Sequence, residues 1–87
     1  MRIENLSSIR GTLLNRAFVL INVELGKDIT NDLKQIPEVK QVYGVYGVYD
    51  YIIRVEADSM EKLKDVISSK VRQVKNIIST LTMIVID

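Results

Sequence analysis

The feature that most constrains the fold is an almost continuous apolar stretch. Residues 17–23 read Ala-Phe-Val-Leu-Ile-Asn-Val, and only Asn22 interrupts them. β-branched and aromatic side chains favour a strand, which we predict over residues 17–24. A strand that is apolar on both faces is covered on both faces in a folded protein. The fold must therefore place other apolar surface above and below this strand.

A short helix is predicted to follow this strand. Ile29, Leu33 and Ile36 recur at the spacing of one helical face, which predicts a helix over residues 28–36. Pro37 ends the helix, because its ring clashes with the preceding turn and it has no N–H to donate.

The remainder of the chain contains three more extended segments and one longer helix. We predict strands over residues 39–47, 51–57 and 77–86. Residues 47–50 are predicted to form the turn between the first two of these strands. The longer helix is predicted to begin after Asp58 and to run to about Val74. Asp58 is expected to cap it together with Glu61, in a capping box.

The predicted order is strand, helix, strand, strand, helix, strand, which is an α+β arrangement. It corresponds to the ferredoxin-like βαββαβ fold, a four-stranded antiparallel sheet with two helices on one face. The first and last strands are apolar on both faces, so the face without helices is expected to be apolar too. Large apolar patches are uncommon on monomers, which predicts a homodimer that associates through the sheet. A monomer with scattered exposed valines is the alternative.

Residues 1–16 are predicted to be an N-terminal extension, either an arm or a frayed helix. Their apolar residues fall near helical spacing, but Gly11 interrupts the pattern. The predicted domain therefore covers residues 17–87.

Composition argues against several classes of function. The 87 residues include no cysteine and no histidine, so the usual zinc sites and the usual nucleophile–base pairs cannot form. The sequence also contains no glycine-rich phosphate loop before a helix. We therefore predict that the protein is not an enzyme and has no catalytic residues, metal or cofactor. A ferredoxin-like monooxygenase would need a polar catalytic group, usually His, Asn or Trp, and neither His nor Trp is present.

Charge and hydropathy give further expectations about partners. The formal net charge is +1, and the predicted domain has no concentrated basic patch of the kind that nucleic acids require. RNA-binding domains with the same strand order carry a basic-Gly-aromatic motif in the third strand. Residues 51–56 read Tyr-Ile-Ile-Arg-Val-Glu, which does not match it. No apolar run approaches the roughly 20 residues of a membrane span. We expect a cytoplasmic protein without direct nucleic-acid or membrane binding.

Two groups of polar residues are candidates for a ligand site. Gly47 and Asp50 bracket a tight loop, which can present backbone N–H groups and one carboxylate at the same point. That pairing would suit an amino acid, although an ordinary turn explains the same residues. Thr80 and Thr82 share one face of the last strand, so their hydroxyls could meet one ligand. Threonine is also an ordinary strand residue.

Residues 17–87 resemble the ligand-binding (RAM) domain of Lrp/AsnC transcription regulators. The resemblance rests first on the hairpin motif Val45-x-Gly47-x-Tyr49-Asp50. It rests also on the helix exit Ile36-Pro37-Glu38-Val39 and on Thr80-x-Thr82 followed by Met83-Ile84-Val85-Ile86.

The resemblance implies a small effector, usually an amino acid, bound in clefts between dimers that assemble further. If the family's site residues are carried over by position, the effector would contact two backbone N–H groups, a loop tyrosine, a carboxylate and two hydroxyls. These belong to Gly47, Val48, Tyr49, Asp50, Thr80 and Thr82.

Full-length members of this family also carry a helix-turn-helix of three helices, which sixteen residues cannot hold. We therefore expect an effector-sensing and oligomerisation module without its own DNA-binding domain. The alternative is a structural partner that co-assembles with a full-length Lrp/AsnC-type regulator and binds no ligand.

Overall fold

The structure, a computed structural model, describes residues 14–86. The predicted extension lies mostly outside the described residues. The elements follow the predicted order: β1 (Asn15–Val23), α1 (Thr30–Lys34), β2 (Val39–Gly44), β3 (Tyr51–Ala57), α2 (Met60–Val66) and β4 (Ile77–Ile84).

The four strands form one antiparallel sheet in the order β2-β3-β1-β4. This order places the apolar strand β1 in the interior, with β3 on one side and β4 on the other. The predicted ferredoxin-like fold is confirmed. Among the described residues, none of the helices combines the length and the apolar character needed to cross a bilayer.

Several element boundaries differ from those predicted. Strand β1 begins at Asn15, two residues earlier than expected, and β2 ends at Gly44 rather than at residue 47. Helix α1 has only five residues. Helix α2 continues into a π-helical turn over Ile67–Val71, in which Arg72 N donates to Ile67 O at 3.0 Å.

The predicted cap of α2 is wrong by one position. Ser59, not Asp58, is the N-cap, and its Oγ accepts a hydrogen bond from Lys62 N at 3.0 Å. Ser59 keeps extended backbone angles, so Met60 is the first helical residue. Glu61 therefore lies at the second helical position, whereas a capping box requires it at the third.

The core lies between the helices and one face of the sheet. Alternate residues of β1 and β3 point into it, which is the two-residue period of a strand. Both helices cover this same face, as predicted. The fully buried large side chains are Val19, Ile21, Ile29, Leu33, Ile53, Val55, Leu63, Val66 and Val71.

The opposite face of the sheet, here called the open face, carries a row of apolar side chains. Strand register aligns Tyr43, Ile52, Leu20 and Leu81 across all four strands. Phe18 and Met83 form a neighbouring pair. Leu81 and Met83 are 46% and 49% exposed in the single chain. Arg54, which pairs with Phe18, and Glu56 also lie on this face, so the open face is apolar in part.

Glu38 joins the helix layer to the start of β2. Its carboxylate accepts from Lys70 Nζ at 3.2 Å and lies 3.9 Å from Lys62 Nζ. Burial opposes ionisation of this carboxylate, but its own backbone N–H and the ammonium groups of Lys70 and Lys62 outweigh that effect. The net result is that the pKa of Glu38 lies below its ordinary value of 4.5.

We expect this cluster to make stability depend on acid pH. Because the pKa of Glu38 is lowered on folding, its contribution is present above about pH 4.5 and is lost as the pH falls through the lowered value. Both lysines are about half exposed, so the contribution is about 1 kcal/mol or less. Urea unfolding of Glu38→Gln should show a deficit at pH 7 that disappears near pH 3. Glu61→Gln, which removes an exposed acid of α2, is the matched control. An equal deficit of Glu38→Gln at both pH values would contradict the assignment.

Candidate functional site

A cleft of about 480 Å³ opens at the end of the sheet where β1 stops and β3 starts. The β1–α1 loop forms one wall and the β2–β3 loop forms the other. Val23, Val45 and Tyr46 contribute apolar surface. Lys27 contributes a positive charge, and Asp50 and Glu24 contribute negative charges. We call it the Asp50 cleft. Its volume falls within the roughly 300–1,000 Å³ typical of small-molecule sites.

Asp50 holds the β2–β3 loop against the end of β1. Its Oδ2 accepts from Val23 N at 2.9 Å, and its backbone N–H donates to Ile21 O at 2.9 Å. Its carbonyl oxygen accepts from Val45 N at 2.9 Å. Within residues 14–86, Oδ1 has no hydrogen-bond partner, so one carboxylate oxygen is left for a ligand.

The tip of the β2–β3 loop projects beyond the cleft. Gly47 has a φ of +134°, a conformation that side chains rarely adopt, so glycine is required there by the backbone. Val48 is 82% exposed and Tyr49 is partly buried. Gly47, Val48 and Tyr49 do not line the Asp50 cleft of their own chain; only Asp50 of the four predicted hairpin residues does.

The opposite wall is fixed by hydrogen bonds that the sequence analysis missed. Asp28 Oδ1 accepts from Thr30 N at 2.9 Å and from the hydroxyl of Tyr51 at 3.0 Å. These hydrogen bonds hold the pKa of Asp28 below its ordinary value, and the bond from the Thr30 backbone has the largest effect. Tyr51 also accepts from Ile29 N at 3.3 Å, which ties the loop to β3.

Lys27 and Thr30 line the cleft, and sequence reasoning missed both. A glycine with positive φ, Gly26, precedes Lys27. The sequence feature that could have identified them is the Gly-Lys-Asp segment shortly after the first strand, since loops at strand ends commonly carry binding residues.

Thr80 and Thr82 lie elsewhere. They pair with Ile21 and Val19, so they share the face that the helices cover. Thr82 lines a second cavity, of about 260 Å³, beside the end of α2. Because β1 runs between β3 and β4, Asp50 and the threonines lie on opposite sides of it. One chain therefore does not bring the six predicted residues into one pocket.

Among residues 14–86, no three acidic side chains are grouped so that they could hold a metal ion. Lys27, Asp50 and the apolar walls can instead recognise a small organic molecule that carries charges of both signs.

Comparison with known proteins identifies the family. Residues 16–87 match the family model of the Lrp/AsnC ligand binding domain. The crystal structure of FFRP-DM1 is 40% identical, with a TM-score of 0.78, over 83% of this chain and 99% of that chain. A hypothetical protein from Pyrococcus horikoshii is 39% identical, with a TM-score of 0.78, over 86% of this chain and 92% of that one.

A third structure is a feast or famine regulatory protein from M. tuberculosis complexed with L-methionine. It is 26% identical, with a TM-score of 0.74, and the match covers 99% of this chain and 58% of that chain. No curated protein matches this sequence. The predicted resemblance is confirmed by the family match, and the chain belongs to the Lrp/AsnC ligand-binding domain family.

Proposed function

We propose that this protein binds an amino acid, or a similar small effector, in the Asp50 cleft and senses it as a self-associating module. The observation that carries the proposal is the Oδ1 of Asp50, which has no hydrogen-bond partner within residues 14–86 and shares an apolar-walled cleft with Lys27. A relative of the same family is complexed with L-methionine, which supports an amino acid as the ligand class.

The chemistry of the cleft suits an amino acid zwitterion. The carboxylate of Asp50 would accept from the α-ammonium group, and Lys27 would attract the α-carboxylate. Val23, Val45 and Tyr46 would surround the side chain, which favours an apolar one. Gly47 and Val48 remain proposed donors of backbone N–H groups, and Tyr49 is proposed to shape the loop.

Self-association would complete the site. The open face is proposed to pair two copies, and further contacts between dimers would bring Thr80 and Thr82 of one copy to the Asp50 loop of another. The separation of these residues within one chain supports this arrangement. A full-length Lrp/AsnC-type regulator is a further proposed partner, through the same surfaces.

The second candidate function is a structural partner that binds no ligand. One observation favours it, because Asp50 already has a structural role as the acceptor for Val23 N. In that case the β2–β3 loop would serve only as a turn, and the protein would act only by forming mixed oligomers.

Thermal unfolding with each of the twenty amino acids separates the two functions. A ligand at about 100 times its Kd stabilises the native state by about 2.7 kcal/mol, which predicts a rise in Tm of several degrees. N-acetylated forms of the same amino acids, which lack the ammonium group, should give no rise. If no amino acid raises the Tm of a sample that light scattering shows to be a dimer or larger, the structural-partner function is favoured.

A further inference from the structure

One end of the open face carries charged side chains. Arg54 and Glu56 lie there, and strand register pairs Glu56 with Arg16, near the point where β1 begins and β3 ends. We call these three residues the charged end. The polar pair at the opposite end of the face is uncharged, since Asn22 Nδ2 donates to Ser79 Oγ at 3.4 Å. The two ends of the open face therefore differ in charge.

Arg54 and Glu56 form an ion pair within the chain. They are two residues apart in β3, so their side chains point to the same face of the sheet. The guanidinium group of Arg54 donates to the carboxylate of Glu56. The two side chains are only 29% and 12% exposed in the single chain. A second sheet packed on the open face would remove the remaining water from both groups.

The strength of association does not explain an ion pair on this surface. Arg54 lies opposite Phe18, where an apolar residue would extend the apolar row. Desolvation of two charges offsets most of their attraction, so an apolar pair in the same place often associates equally well or better. A buried ion pair does provide discrimination, because a partner without complementary groups leaves a charge unpaired in the interface.

Two twofold arrangements can stack the open faces of two copies with their strands aligned. A twofold axis parallel to the strands brings the charged ends of both copies together. An axis across the strands places each charged end over the uncharged pair Asn22 and Ser79, whose polar groups already bond to each other. Only the first arrangement places opposite charges of the two copies near one another. Stacked sheets lie about 10 Å apart, a gap that long side chains approaching from both sheets can close.

We infer, on the basis of the proposed association through the open face, that Arg54 and Glu56 select the partner and its orientation. The charged end of one copy meets the charged end of a second copy, so that each arginine lies within reach of both carboxylates. A guanidinium group has five donors and a carboxylate about four acceptor positions, so the four groups can all be paired. A full-length regulator would need matching charges at the same end to cover this face.

Mixing of charge-reversed chains tests this selection. Arg54→Glu places two carboxylates side by side in one chain, and Glu56→Arg places two guanidinium groups, so like charges meet in either homodimer. Each variant alone should dimerise at least about 30-fold more weakly than the wild-type chain, as when a buried charge loses its partner. An equal mixture should dimerise within about tenfold of the wild-type chain, because the charges are again complementary. It should also form mixed dimers in preference to homodimers.

Native mass spectrometry distinguishes mixed dimers from homodimers, sedimentation measures the dissociation constants, and circular dichroism checks folding. The matched control mixes Glu61→Lys with Lys64→Glu, two exposed positions of α2 in the helix layer. These chains should dimerise as the wild-type chain does and mix at random. If a reversed chain does not fold, Arg54→Gln and Glu56→Gln take the place of the reversals, with the same expected preference for mixed dimers.

Mixed dimers in the random proportion only, or single variants that dimerise as tightly as the wild-type chain, would overturn the selection and leave the open-face association intact. A wild-type chain that light scattering shows to be monomeric would instead overturn the association itself, and the selection with it.

Discussion

Replacing Asp50 with asparagine should weaken amino-acid binding by about tenfold or more while leaving the hairpin in place. Asparagine keeps an oxygen that accepts from Val23 N, but it removes the negative charge proposed to meet the α-ammonium group. A hydrogen bond between charged groups contributes roughly 1.5–3 kcal/mol, which is about one to two factors of ten in Kd. Asp50→Ala should lose both the charge and the hydrogen bond, with an added cost to stability of about 1 kcal/mol.

Calorimetric titration, with the amino acid that gives the largest thermal shift, measures the first effect, and urea unfolding measures the second. Asp58→Asn is the matched control, because Asp58 is an exposed acid just after β3, at the end of the strand far from the cleft. If Asp50→Asn binds the amino acid as tightly as the wild-type chain does, Asp50 only stabilises the turn, and the structural-partner function is favoured.

The second large effect is expected on the open face. Leu81→Asp should convert a dimer into a monomer at micromolar concentration. Leu81 is half exposed in the single chain, so an aspartate there costs the monomer little. In a twofold dimer it would bury two unpaired carboxylates, at about 3 kcal/mol each. The dissociation constant would then rise by roughly four orders of magnitude.

Light scattering and sedimentation measure the mass, and circular dichroism checks that the variant folds. Asn31→Asp adds the same charge to an exposed position in the first turn of α1, within the helix layer, and should leave the mass unchanged. A dimeric Leu81→Asp, or a wild-type chain that is already monomeric, would show that the open face is not the dimer interface.

Much of the fold could be predicted because local patterns encode it. The alternation over residues 51–57 matches the bounds of β3, in which every second residue is buried. Ile29, Leu33 and Ile36 lie in the core, as their helical spacing implied. The cap of α2 was misplaced because Asp58 and Ser59 are both good capping residues. Backbone angles, which the residue types do not reveal, decide between them.

The candidate site was less accessible to prediction. Asp50 was found because glycine and aspartate mark a loop in the sequence. Its contact with Val23, 27 residues away, depends on strand register. Lys27 and Tyr51 were missed because single residues in a loop and at a strand start carry no periodic signal.

By itself, the sequence determined the order of the elements and the family, since these depend on neighbours within a few residues. The tertiary structure alone decided that Asp50 and Thr82 face different cavities on either side of β1. It also decided that Thr82 lies with Lys64 and Arg72. The physical reason is that antiparallel pairing and helix packing join segments that are distant in the chain, and no local pattern records which of them meet.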